Sequence, residues 1–159
     1  MEAGIDYVGV GVGIAVTDGT GRVCLNLRGA GARDEHGRWD LCGGEVEFGE
    51  APEETVRREM KEEYGCEPEM ARFCGVVNSL RRQNGQIKHW IMLMYLVKVD
   101  HEQVSNVEPE KHERLAWFVP GDWPENMHSQ FANDWATIAP EWDKFYTSLR
   151  SSTERTVAS

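Results

Sequence analysis

The chain has 159 residues, 40% hydrophobic and 28% charged, with a formal net charge of −10. That balance predicts a single globular domain large enough for a proper core. The acidic surplus argues against a duplex nucleic-acid binder, which needs a basic face. No apolar run is long enough to span a membrane.

In chain order, residues 1–6 read as a loose start. Residues 7–17 (YVGVGVGIAVT) alternate Val or Ile with Gly, a strand pattern in which small residues permit close backbone approach. Their GVGVG lacks the spacing and following helix of a dinucleotide fingerprint. A turn at 18–21 leads to a second strand at 23–28, completing a hairpin. Residues 29–38 are glycine-rich and polar, hence a loop. Residues 39–41 make a short strand that enters a Gly43–Gly44 turn.

An acidic helix follows, with Pro52 near its start and Gly65 just past its end, the expected asymmetry of a capped helix. Residues 70–79 read as a strand and 81–85 as a turn. The apolar run 87–99 (IKHWIMLMYLVKV) reads as the central strand of a sheet. An acidic loop at 101–114, a strand at 115–119 and a turn at 121–124 come next. Helix-like periodicity from 125 to 150, broken at Pro140, predicts two short helices, and 151–159 reads as a disordered tail. One domain over 1–150 is expected, of α/β or α+β class.

The four cysteines, Cys24, Cys42, Cys66 and Cys74, show neither CxxC spacing nor a histidine pair at zinc spacing. Buried free thiols and a cytoplasmic location are the expectation. The first residues lack the basic, apolar pattern of a leader.

Chemistry concentrates at 44–66, GEVEFGEAPEETVRREMKEEYGC. Glu59, Glu62 and Glu63 lie at i, i+3 and i+4, on one helical face at about 100° per residue. Val56, Met60 and Tyr64 form the adjoining apolar stripe, so Glu63 should be partly sheltered. Carboxylates this close raise one another's pKa unless a cation sits among them. Oxygen ligands without His or Cys suit a hard divalent ion, Mg²⁺ or Mn²⁺, better than zinc. Arg58 can tether carboxylates through its fork of donors. Taken alone, REMKEEYG is a solvated charged helix with ordinary i,i+4 pairs.

The whole stretch fits G-x5-E-x7-R-E-U-x-E-E-x-G-U, where U is a bulky apolar residue. Gly44, Glu50, Arg58, Glu59, Glu62, Glu63 and Gly65 fill every fixed position, Met60 fills the first U, and the smaller Cys66 fills the second. It resembles the signature box of the Nudix (MutT-type) hydrolases. The looser flanking text, VGVGV, VVNS, VEPEKHE and WFV, is similar to the nucleoside-triphosphate diphosphatase branch. Cys42 stands where many members have proline.

The resemblance implies an α/β/α sandwich with a mixed sheet and Mg²⁺-dependent hydrolysis of a pyrophosphate bond in a nucleotide, Mn²⁺ serving in its place. It implies Glu59, Glu62 and Glu63 as metal ligands with the Gly43 carbonyl, Glu59 as a candidate base, and Arg58 as the group orienting it. Glu50 would serve the metal's water shell or merely stabilise the helix start. A further glutamate is expected from a later loop: Glu108, Glu110 or, first choice, Glu113.

For substrate, Arg28 reads as a phosphate contact or an exposed strand-end arginine. Trp39 and Trp90 read as base-stacking or core residues. Asn78 reads as a base contact or a strand cap, and His89 and His112 as ordinary. The expected substrate is a free (deoxy)nucleoside triphosphate; ADP-ribose, a dinucleotide or a nucleotide sugar is the alternative. A non-catalytic nucleotide sensor is the alternative from another class. The branch also implies a homodimer.

Overall fold

A computed structural model describes residues 1–158, with side chains through residue 156. Seven strands form one mixed sheet: β1 (Gly9–Thr17), β2 (Val23–Arg28), β3 (Trp39–Asp40), β4 (Cys42–Glu45), β5 (Met70–Gln83), β6 (Gln86–Lys98) and β7 (His112–Phe118). The order is β3-β2-β1-β6-β5, with β4 paired to β1 and β7 to β2. Helix α1 (Pro52–Glu59) lies on one side and α2 (Phe131–Ala158) on the other, giving the expected α/β/α sandwich. No helix among the described residues is long and apolar enough to cross a membrane.

Alternation along β1 separates two cores. Val12, Ile14 and Val16 meet Val56, Met60 and Tyr64 from the α1 side, together with Tyr95, Val97 and Val99 of the β6 region. On the other side Ala15, Met94 and Leu96 meet Phe131, Ile138, Trp142 and Phe145 of α2. The stripe of Val56, Met60 and Tyr64 is fully buried, and truncating Met60 to Ala would cost about 2–5 kcal/mol. The buried Tyr64 hydroxyl accepts a bond from Asn26 Nδ2 at 3.1 Å.

Several elements depart from the pattern reading. The Gly43–Gly44 turn is instead strand β4, antiparallel to β1 with Gly13 opposite Gly43 and Val12 opposite Gly44. Glycine facing glycine removes the side chains that would keep these backbones apart. Strand β5 runs to Gln83, and the turn expected at 81–85 shrinks to Asn84–Gly85, both at positive φ (50° and 78°). That is the conformation a two-residue Asn-Gly hairpin requires.

Strand β6 is interior, parallel to β1 and antiparallel to β5. The loop at 101–114 holds a short 3₁₀ turn, His101–Gln103, and yields His112 onward to β7. The C-terminal region is one helix passing through Pro140, not two. Pro140 is exposed, and the packed residues Ile138, Trp142 and Phe145 lie on both sides of it. The helix continues through 151–158, expected to be a tail, while Ser159 lies outside the described residues.

Candidate active site

The acidic helix is α-helical only to Glu59. Met60–Tyr64 forms a π turn, ended by Gly65 in the left-handed conformation (φ 67°). The consequence is a split among the three glutamates. Glu59 and Glu63 are buried at 8% and 7% exposure, whereas the Glu62 side chain is 52% exposed.

Arg58 organises this end. Its Nε donates to Glu50 Oε2 at 2.8 Å, one terminal nitrogen donates to Glu59 Oε1 at 2.8 Å and Glu62 Oε2 at 3.3 Å, and the other donates to the Glu45 carbonyl at 2.9 Å. This is the orienting contact on Glu59 that the fork of donors allows. Glu50 is held at about 2, first by Arg58 and then by the Thr55 hydroxyl, which donates to it at 2.5 Å. Glu50 therefore anchors Arg58 as well as opening the helix. Burial raises the Glu59 carboxyl despite Arg58 beside it.

Glu63 is different in kind. Burial pushes its carboxyl up to about 8, the neighbouring Glu59 adds to this, and it has no ion-pair partner among the described residues. Its Oε2 accepts from the Cys42 thiol at 3.1 Å and the Gly43 N–H at 3.3 Å. Cys42 itself is buried and its thiol is driven well up by burial. The glycines matter sterically here. A Cβ on Gly44 would lie 2.1 Å from Glu59 Oε1, and one on Gly43 would lie 2.2 Å from the Val12 carbonyl oxygen.

These groups close one end of a cleft of about 680 Å³. Its other walls include Arg28, Asp34, Asp40, Ser79, Arg81, Lys88, Trp90, His128, Gln130 and Asp134, with Lys111 and His112 also facing in. Arg28 thus reaches the cleft, but Asp34 and Asp40 already engage it at 3.2 and 3.3 Å. Trp90 lines the cleft with Arg33 over its ring at 5.6 Å. Asp134, in the first turn of α2, is pushed up to about 7 by burial and by Asp40, and its Oδ1 has no hydrogen-bond partner. His112 is buried with Nδ1 unpartnered, and burial lowers its pKa. It is no ordinary loop histidine.

Three expected site residues lie elsewhere. Trp39 is core, edge-on to Phe118 at 5.0 Å. Asn78 pairs across with Ile91 on the sheet face away from the cleft, and its side chain binds His89 at 2.7 Å. Glu113 is exposed at the start of β7 and does not line the cleft. Among the loop glutamates, Glu108 is the one whose charge reaches Glu63, and it holds Lys111 at 3.1 Å.

Pattern reasoning missed Lys111, Asp40, Ser79 and Asp134. Asp134 looks like an ordinary helix-start acid, and only packing reveals that its carboxyl is enclosed. A second carboxylate group, Asp34 and Glu35 with His128, has ligand atoms close enough for a metal. It is already neutralised by Arg28, Arg81 and Lys88. This cluster works as an internal clamp on the 29–38 loop.

The sequence profile of the NUDIX domain matches residues 8–136. The chain belongs to the Nudix family. It is a MutT-type Nudix hydrolase, an enzyme acting on pyrophosphate bonds of nucleotide derivatives. It is similar to the crystal structure of a MutT NUDIX hydrolase from Burkholderia pseudomallei, with TM-score 0.74 and 32% identity, covering 84% of this chain and 99% of that one.

It is 28% identical over 106 residues to a CTP pyrophosphohydrolase of Escherichia coli, covering 67% of this chain and 73% of the relative. It is 25% identical over 121 residues to an RNA pyrophosphohydrolase of Acinetobacter baylyi, covering 67% and 70%. Nudix enzymes use divalent metals; at this end of the cleft Glu59 is paired to Arg58, whereas Glu63 has no ion-pair partner among the described residues.

Proposed function

We propose that this enzyme hydrolyses free nucleoside triphosphates to monophosphate and pyrophosphate in a Mg²⁺-dependent reaction. The observation that carries the reading is Glu63. A carboxyl buried without a cation has its pKa raised, here to about 8, so the site favours a positive charge beside it. Beside Glu59 it forms an oxygen-rich pocket that suits a hard divalent ion. Glu59 and Glu63 would hold the metal, with exposed Glu62 and the Gly43 carbonyl as further donors. Bound there, the ion would withdraw charge from the phosphate oxygens and lower the pKa of water.

The chain's own groups do the rest. Arg58 fixes the Glu59 carboxylate, which takes the proton from the attacking water. Lys111, held by Glu108, places a cation on the cleft wall where the substrate's negative charge builds up. Trp90 offers a flat surface, and Asp134 offers an unpartnered oxygen, at the end of the cleft that would take the nucleoside. Free thiols at Cys24, Cys42, Cys66 and Cys74 support a cytoplasmic setting.

A panel of nucleoside triphosphates, ADP-ribose, dinucleotides and nucleotide sugars with Mg²⁺ or Mn²⁺, products resolved by chromatography, tests this. Pyrophosphate and monophosphate from a triphosphate are expected. Absence of pyrophosphate release from every triphosphate would reject the reading.

A further inference from the structure

The indole of Trp90 is not a bare surface. Two glycines make room for the ring: a Cβ on Gly4 would stand 2.1 Å from its Nε1, and one on Gly9 would stand 2.5 Å from its Cε3. Over the ring, with its Cζ 5.6 Å from the centroid, sits the guanidinium of Arg33. A nucleobase inserted between the two would need about 3.5 Å on either side, more than that spacing leaves. No base stacks directly on Trp90 while Arg33 is in place.

Of the arginines and lysines lining the cleft among the described residues, Arg33 stands apart. Arg28, Arg58, Arg81, Lys88 and Lys111 each lie against a carboxylate. Arg33 has no ion pair and no hydrogen bond there, only the indole beneath it. Yet its place is fixed from both sides. Two residues earlier, the Gly31 N–H donates to the Glu110 carbonyl at 2.7 Å, and a Cβ on Gly31 would stand 2.7 Å from the same oxygen. Directly after it, Asp34 accepts from Arg81 and Lys88. Glu35, at φ 48°, accepts from the Ser129 N–H at 2.8 Å. A residue other than glycine holds that left-handed conformation only where its surroundings impose it. The Asp34 and Glu35 carboxylates thus anchor the loop, and neither neutralises the arginine it carries.

We propose that Arg33 is the platform for the nucleobase, which stacks on the outer face of its guanidinium while Trp90 backs the inner face. This rests on the nucleotide reading of the cleft. A guanidinium is a planar, weakly hydrated cation, and bases stack on its plane as they do on aromatic rings. Position favours the base over the phosphates as its target. Trp90 stands opposite Gly9 of β1, whereas Gly43, whose N–H bonds Glu63, stands opposite Gly13. The strand from Gly9 to Gly13 spans about 13 Å, comparable to the reach of an extended nucleotide from its phosphates to its base.

Isothermal titration of the full chain in Mg²⁺ with AMP, CMP, GMP and UMP in turn tests it, with inorganic tripolyphosphate as the base-free probe. At least one monophosphate is expected to bind. Arg33→Ala should weaken that binding by about tenfold or more and leave tripolyphosphate unchanged. Arg33→Lys should recover little, because an ammonium offers no flat face. Arg82→Ala, which removes the same charge from an exposed site outside the cleft, should change neither. Circular dichroism melts confirm that each variant folds. Titration needs no turnover, so failure of the triphosphate reading would show separately.

Wild-type binding to none of the four monophosphates overturns the proposal. So does an Arg33→Ala variant with unchanged monophosphate affinity, or one that loses tripolyphosphate equally, which would make Arg33 a phosphate contact. Full recovery by Arg33→Lys, or an equal loss in Arg82→Ala, overturns it as well.

Discussion

Replacing Glu63 by Gln separates charge from shape at the buried end of the cleft. The Glu63 carboxyl stands at about 8 in the folded, metal-free chain against an ordinary value of 4.5. Its folded pKa is raised, so the native state keeps a proton that the unfolded state has lost between these values. Stability from this group is complete below about 4.5 and falls as pH rises through 8, at about 1.4 kcal/mol per unit. The interval of roughly 3.5 units sets an upper bound of about 5 kcal/mol.

Glutamine is nearly isosteric and cannot ionise, so Glu63→Gln should flatten this part of the pH dependence. Urea unfolding of both proteins in chelator at pH 5.5, 7 and 8.5 measures it. The wild type should lose stability relative to the variant as pH rises. With Mg²⁺ the variant should lose turnover by about a hundredfold or more while still folding. Parallel stability curves, or a variant with full activity, would refute both the burial argument and the ligand assignment.

Arg58→Ala should cost about 3 kcal/mol in urea unfolding, because it strips the buried Glu59 of its cation, and should also lower kcat. Arg58→Lys should recover only part, since one ammonium cannot reach Glu50, Glu59 and the Glu45 carbonyl together. Gly44→Ala places a methyl group against the Glu59 carboxylate, so activity should fall more than stability, the latter by about 1–3 kcal/mol. Asp134, at about 7, should give wild-type KM a pH dependence between pH 6 and 8. Asp134→Asn should abolish that dependence with kcat nearly unchanged, as steady-state profiles would show.

The box at 44–66, its flanking glycines and the apolar stripe of Val56, Met60 and Tyr64 were all legible in one dimension, because helix periodicity and capping are local. So were most strands, from their alternation. Local rules also account for the misses. Pro140 ordinarily breaks a helix, and only the long apolar face packed on both sides of it holds α2 together. Two glycines ordinarily turn, and only a glycine-rich β1 alongside makes them a strand.

Sequence alone determined the carboxylates, the arginine among them and the class of chemistry they serve. Tertiary structure decided which of them are enclosed. Glu59 and Glu63 turn inward while Glu62 does not, Trp39 goes to the core, and Asn78 and Glu113 fall outside the cleft. It also brought in Asp134, Lys111 and His112 from segments that carry no motif. Burial and the field of distant neighbours depend on the arrangement of the whole chain, and those two quantities shift the ionisation of Glu63, Asp134 and His112.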